Sequence, residues 1–461
     1  MKNNLAPDFT TDNEIYKDVV IVGNGPSAMA LSFLLSGNLP YYTGGEHPDE
    51  MLTARLRVTS LDVTLLDQDL EFLSQGLEGR SQNPVAVLMD SLARPGADVG
   101  LEIDPLVQYR RAPTGRQLPS YIALGRGPPG GVWQRVDGQV LALSPASWMS
   151  LPGVPLEGSG RPPAGRVAQY LAAYPSITGI SDNFHSGVDV TRISPPPVAE
   201  SSDKLWRVEA TDGRAVFNYK CRTVVLATGA HDVPNQLGVP GEDSLQWVFH
   251  DAASLERALD CPGMIGTGVN PVLIVGAGLS AADAVIAARF RSLPVLHVFR
   301  RRLDAPLFDH VLPENVYPEY HKVRQMMADG GHCYPRYQAL ADAAVLEFSE
   351  EGTGSQAVRS VLIRGADGKR ERVQVCAAAI LTGARPDLSF IPEELVAQLT
   401  CNSTKPVDPR RNPIAVDPYT HKVLHAPSGL YALGPLVGDT FVRFAAAGAH
   451  AVAASLLGDL T

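Results

Sequence analysis

Residues 18–35 read DVVIVGNGPSAMALSFLL, and residues 271–288 read PVLIVGAGLSAADAVIAA. Each is a short, apolar, β-rich run followed by Gly-x-Gly-x-x-Ala and then a helix-favouring apolar stretch. Strand, tight turn and helix in that order open a dinucleotide-binding unit. The residue types follow from the geometry. Gly23 permits the sharp turn out of the strand, Gly25 lets backbone approach a diphosphate, and Ala28 lets the helix pack closely on the strand. Pro26, beside Ser27, suits a first helical turn, where no amide hydrogen is needed. Phosphates then meet unpaired N–H groups and the positive end of the helix dipole. Gly276, Gly278, Leu279, Ser280 and Ala281 repeat the arrangement. A single such motif is also compatible with a plain glycine-rich turn; its recurrence before a second helix favours a duplicated architecture.

From these two anchors the rest of the chain falls into place. Residues 40–50 and 153–164 are turn-rich and read as surface loops. Strand-like runs lie at 188–193 and 205–210, then at 223–229, which ends Leu-Ala-Thr228-Gly229. A similar ending recurs at 379–383. The last stretch, 429–457, carries Gly438 and Asp439 before an Ala-rich helix. The expected fold is therefore α/β, with two Rossmann-like dinucleotide-binding domains, the second inserted into the first. Residues 1–232 form the first part of one domain, 233–265 a connection, 266–383 the second domain, and 384–461 the return that completes the first.

The second site discriminates between coenzymes. The expected strand at 294–299 ends in Arg300, Arg301 and Arg302, where an NAD site would carry Asp or Glu. Guanidinium groups there suit the 2′-phosphate of NADPH through bidentate contacts; a solvated basic turn is the plainer alternative. In the first unit the expected acid sits later, at the end of the run Val63–Asp67, which implies an insertion after the first helix. Asp67 would hold ribose hydroxyls or, equally, cap the next helix. Gly130, Gly131 and Trp133 form a rigid loop able to lie beside a flat ligand, or a turn with a core tryptophan. Asp439 is a candidate helix cap, and a helix start aimed at a flavin would stabilise its reduced form.

Composition narrows the class. The 461 residues carry 39 Lys and Arg against 49 Asp and Glu, a net charge of −10, which argues against nucleic acid as a partner. The N-terminus has no apolar signal core, and no stretch has the ~18 apolar residues a membrane span needs. Five scattered cysteines without Cys-x-x-Cys favour neither a disulfide scaffold nor a metal site. A soluble, cytoplasmic protein is expected, with nuclear or mitochondrial association left open.

Two levels of resemblance sharpen this. The wider is to two-domain flavoproteins, especially flavin-containing and N-hydroxylating monooxygenases, through Gly23–Ala28, Gly130–Trp133, Leu226–Gly229 and Gly276–Ala281. The narrower is to the oxidative stress-induced growth inhibitor family. It runs over nearly the whole chain, through LGRGPPGGVW (124–133), DQDLEFLSQGLEGRSQNPVAVL (67–88), YPEYHKV (317–323) and LYALGPLVGDTFVRF (430–444). The resemblance implies FAD in the first domain and NADPH in the second. FAD would then be held by Gly23–Ala28, Asp67, Gly130, Gly131, Trp133, Thr228, Gly229, Gly438 and Asp439. It further implies hydride transfer from NADPH to FAD, O₂ activation as a C4a-(hydro)peroxide, oxygen transfer to a small-molecule substrate, and a growth-restraining role in oxidative stress.

Only His250 survives from the Phe-x-Gly-x-x-x-His fingerprint of flavin-containing monooxygenases. A disulfide reductase would need a cysteine pair soon after the first motif, whereas the first cysteine is Cys221. No catalytic side chain is assigned; His250 and Arg443 are more readily structural. An H₂O₂-releasing NADPH oxidase, an amine N-hydroxylase and a non-enzymatic regulator on the same fold remain as alternatives.

Overall fold

Val19, Val20, Ile21 and Val22 are all buried, as a strand covered on both faces of a parallel sheet must be. They end the strand Glu14–Val22, which pairs in parallel with Tyr121–Gly125 on one side and Val216–Leu226 on the other. The structure is a computed structural model and describes residues 14–197, 204–261, 270–305, 307–352 and 357–459. Two compact units emerge, residues 14–230 with 386–459, and residues 231–385.

Among the described residues the sheet of the first unit has seven strands. Phe184–Ser186 lies outside Tyr121–Gly125, while Trp206–Thr211 and Asp189–Ser194 extend the other side as an antiparallel ribbon. Leu430–Ala432 runs parallel beside Val224–Leu226, so the C-terminal return completes this sheet. Helix Pro26–Leu35 leaves the opening strand with nearly every residue buried. Such a helix needs cover on all sides, and Ala164–Thr178 and the C-terminal helices supply part of it. The Ala-rich ending is two helices, Val442–Ala447 and Ala449–Gly458, interrupted at Gly448, and not one.

The second unit repeats the principle. Its parallel sheet runs Val248–Phe249, Ala377–Ile380, Val272–Val275, Val295–Phe299, Tyr337–Ala341, with helices Leu279–Phe290 and Pro318–Asp329 in the connections. An antiparallel sheet, Ala344–Glu351, Val358–Arg364 and Arg370–Gln374, shares its core. There Trp247 meets Phe348 edge-on at 5.9 Å.

One expected element is absent. The run at 63–67 is a 3₁₀ turn, Leu65–Asp67, and not a parallel strand. Thr64 Oγ1 donates to Pro40 O (2.8 Å) and receives Leu66 N–H (3.4 Å), which curls the chain and buries Leu65 and Leu66. Tertiary burial overrides the β-propensity of a short run. Residues 38–111 form an excursion instead. The ribbon Asn38–Tyr42 with Val107–Arg111 is antiparallel, and helices Glu50–Leu56, Leu70–Ser74 and Pro84–Ala93 gather a core of their own around Leu52, Leu73 and Leu88. The second parallel strand is Tyr121–Gly125.

Candidate functional site

Both glycine turns are built alike, down to single atoms. Gly23 has φ +123°, and a Cβ there would lie 2.2 Å from Ala227 O. Gly276 has φ +142°, and its Cβ would lie 2.3 Å from Leu381 O. Each glycine thus passes against the end of the neighbouring parallel strand, where no side chain fits. Gly25 and Gly278 differ from these. Their φ angles are −83° and −100°, both are extended caps of the following helix, and neither offers a side-chain acceptor to the first-turn amides. Among the described residues, a Cβ at either would meet nothing within 4 Å. Open space over uncapped helix amides is what a diphosphate requires. Ala28 and Ala281 are fully buried beneath the turns.

The first cradle has a second wall. Asn24 is buried, and its Nδ2 donates to Gly127 O (2.6 Å) and Pro128 O (3.2 Å), while Gly130 N donates to Asn24 O (2.9 Å). This ties the Gly-Pro-Pro-Gly-Gly loop onto the turn. A Cβ on Gly131 would stand 3.3 Å from Gly25 Cα, so the two glycine segments face one another. Gly130 and Gly131 both have positive φ, and Trp133 is half-buried against the core in the 3₁₀ turn Gly131–Gln134. Gly229 (φ +82°) has open space at Cβ, beside half-buried Thr228. Gly434 packs on Ser27, its Cβ position 2.3 Å from Ser27 Oγ.

The ribose acid is where the site departs from expectation. Asp67 is not at a strand end; it makes a two-pronged ion pair with Arg116 at 2.5 and 2.7 Å. Nor does it cap the next helix, which Asp69 does through Phe72 N–H (2.9 Å). The residue that follows the second parallel strand is Arg126, held by Asp189 (3.2 Å) and Asp387 (2.9 Å). Gly125 must be glycine because Asn24 lies over it, 2.2 Å from a Cβ. Asn24 and Arg126 were not legible beforehand: the middle residue of Gly-x-Gly carries no signal, though a glycine closing the run YIALG was a clue.

Asp439 is likewise not a helix cap. The helix Val442–Ala447 is capped by Phe441 without a side-chain bond, and Asp439 is buried, accepting from Ser81 Oγ (2.5 Å) and Asn83 Nδ2 (2.8 Å). Gly438 before it has φ +96°. Burial pushes the Asp439 carboxyl up to about 6, and the two hydrogen bonds only partly oppose it. A carboxyl raised above its unfolded value contributes stability that is complete below that unfolded value, about pH 4, and is lost as pH rises through about 6. Relative to Asp439→Asn, the protein is therefore expected to lose about 2 kcal/mol between pH 4.5 and 7.5, read from urea midpoints across pH. Parallel curves would contradict this.

His250 contacts Glu242 (3.2 Å), whose buried carboxylate accepts Leu237 N–H (2.8 Å) and Gly238 N–H (2.7 Å). It organises a loop. Arg443 is buried in an ion-pair network with Asp90 and Asp98 and stacks 4.5 Å from Trp148. Cys221 is buried, and its thiol is pushed up to about 12; no Cys among the described residues is paired. Among the described residues no group of His, Cys, Asp and Glu is placed to hold a metal, and no helix is long and apolar enough to cross a membrane.

Arg300 and Arg301 follow Val295–Phe299 and are exposed. Arg302 pairs with Asp304 (3.1 Å). The chain thus has the architecture of the two-dinucleotide-binding-domain flavoproteins. Solved structures agree on that fold: a bacillithiol disulfide reductase from Bacillus cereus (TM-score 0.61, 14% identity, 96% of this chain and 100% of that one), an ornithine hydroxylase from Pseudomonas aeruginosa (0.58, 15%, 97% and 100%), and a flavin-containing monooxygenase from Stenotrophomonas maltophilia (0.54, 19%, 96% and 99%). No protein-family model matches the chain. Curated relatives are oxidative stress-induced growth inhibitor 1 of Mus musculus (43% identical, 95% of both chains) and of Homo sapiens (40%, 95% of this chain and 94% of that one), and oxidative stress-induced growth inhibitor 2 of Homo sapiens (35%, 96% and 93%). The chain belongs to the oxidative stress-induced growth inhibitor family.

Proposed function

We propose that the protein is an FAD-dependent, NADPH-using oxidoreductase of the monooxygenase type, acting on a small-molecule substrate with O₂. The observation that carries this is the equivalence of the two cradles: Gly25 and Gly278 each stand over uncapped helix amides with free space above. In this reading Gly23–Ala28, Gly130, Gly131, Trp133, Thr228, Gly229 and Gly438 hold FAD, and Gly276–Ala281 hold the NADPH diphosphate. Asp67 is left out, since Arg116 occupies it. Asp439 acts at one remove, fixing the backbone after Gly438 through Ser81 and Asn83.

Bound coenzymes would supply hydride transfer and oxygen activation; the protein supplies binding, orientation and exclusion of water. Asn24 keeps the two glycine segments of the first cradle facing one another. Arg300 and Arg301 give the second site its preference for a 2′-phosphate. The relatives' names support a role for this chemistry in growth restraint under oxidative stress.

The purified protein is expected to show a flavin spectrum that NADPH bleaches anaerobically, more readily than NADH. Replacing Arg300 and Arg301 by Ala should raise KM for NADPH by about tenfold or more and that for NADH little, since a charge-assisted contact contributes about 1.5–3 kcal/mol. Colourless protein indifferent to NADPH would instead support a non-enzymatic regulator. Equal losses for both coenzymes would overturn the 2′-phosphate assignment.

A further inference from the structure

Within the second unit a cleft of about 430 Å³ is lined by Arg300, Arg385, Thr382, Asn235 and Gln236, among others. Its walls come from separate strand ends. Arg300 follows Val295–Phe299, Thr382 follows Ala377–Ile380, and these strands flank Val272–Val275 on opposite sides. Arg385 belongs to a short antiparallel ladder, opposite Val233. The ladder is pinned to the sheet's end: Asn235 N donates to Gly383 O (2.9 Å), Asn235 Nδ2 to Thr382 O (3.3 Å), and Thr382 Oγ1 to Asn235 O (3.4 Å).

The electrostatics are one-sided. Arg300 and Arg385 have no carboxylate partner among the described residues, and no acid lines the cleft, although Asp232 lies beside it with its N–H on Arg385 O (3.1 Å). Glu242 is turned inward onto backbone N–H groups, and Asp243 receives Gln236 Nε2 (2.7 Å). Two guanidinium groups opening into one cleft that no carboxylate lines match the chemistry of a phosphate dianion.

We propose that Arg385 is a second specificity-determining cation of the coenzyme site, closing with Arg300 on the 2′-phosphate. This rests on the reading of the unit as an NADPH site. NADPH carries three phosphates; the glycine turn Gly276–Gly278 takes the diphosphate, and the cleft opens beside it between the flanking strand ends. The anion left for the cleft is the 2′-phosphate.

The test is calorimetric titration of the full chain with adenosine 2′,5′-bisphosphate and, separately, with adenosine 5′-diphosphate. Arg385→Ala should weaken the bisphosphate about tenfold and leave the diphosphate unchanged, with Arg385→Lys recovering part of the loss. The side chain is exposed, and an unchanged thermal midpoint would confirm that the variant is folded. Equal weakening of both probes would place Arg385 on shared phosphates or in the packing of the ladder and overturn the proposal, as would no weakening at all. If the unaltered protein does not distinguish the two probes, the NADPH reading itself fails, and the proposal with it.

Discussion

Gly25→Val is expected to leave a folded protein that no longer retains FAD. At Gly25 the backbone is extended (φ −83°, ψ −174°), which any L-residue adopts without strain, and an added Cβ meets no atom within 4 Å. The fold therefore has little reason to object, and the thermal midpoint should move by about 2–4 °C or less, the shift of roughly 1 kcal/mol in a domain of this size. The branch would occupy the space above the first-turn amides, with Gly131 on the opposite wall, so a diphosphate loses its closest approach. At least ~100-fold weaker FAD binding, or ~3 kcal/mol, is the expected scale. Flavin absorbance after gel filtration measures it, and a yellow Gly25→Val protein would remove the assignment of this turn to FAD. Gly23→Ala makes the contrast: there the Cβ would strike Ala227 O at φ +123°, and the fold itself should suffer.

Arg443→Ala is expected to destabilise the first unit by about 3 kcal/mol, in the range measured when one partner of a buried ion pair is removed. The Arg443 guanidinium reaches Asp90 Oδ2 at 2.5 Å and Asp98 Oδ2 at 3.0 Å, between segments far apart in the chain. Asp90 is as buried as Arg443 and would keep, among the described residues, only Arg94 as an ion-pair partner, at 3.0 Å. Burial raises the Asp90 carboxyl while the arginines beside it pull the other way, so losing one of them leaves a charge poorly compensated. The stacking of Arg443 on Trp148 and Phe444 is lost as well. A fall in the urea midpoint, reported by tryptophan fluorescence, measures the effect. A change within ~0.5 kcal/mol, as for an ordinary surface site, would show that the network contributes nothing net.

The two turns were fully legible because each is a local constraint written in residue type. Gly23 and Gly276 need positive φ and no Cβ, and Ala28 and Ala281 need small volume under a helix. The apolar runs before them have the composition of strands buried on both faces. Arg300, too, was placed by counting along one strand. Asp67 was misplaced because a short apolar run does not say which strand will lie beside Glu14–Val22. Closing a longer loop costs only slowly more entropy, so the chain can insert residues 38–111 and pair Tyr121–Gly125 instead.

Residue order alone thus determined that two strand–turn–helix units exist, where their glycines stand, and which carries cations at its second strand. Tertiary structure alone decided the neighbours. It put Asn24 over Gly125 and Arg126 where an acid was expected. It set Asp439 between Ser81 and Asn83, and Arg385 across a cleft from Arg300. The physical reason is that backbone dihedral limits act within a few residues, whereas a buried polar group is satisfied by whichever partner the whole fold brings within hydrogen-bond reach.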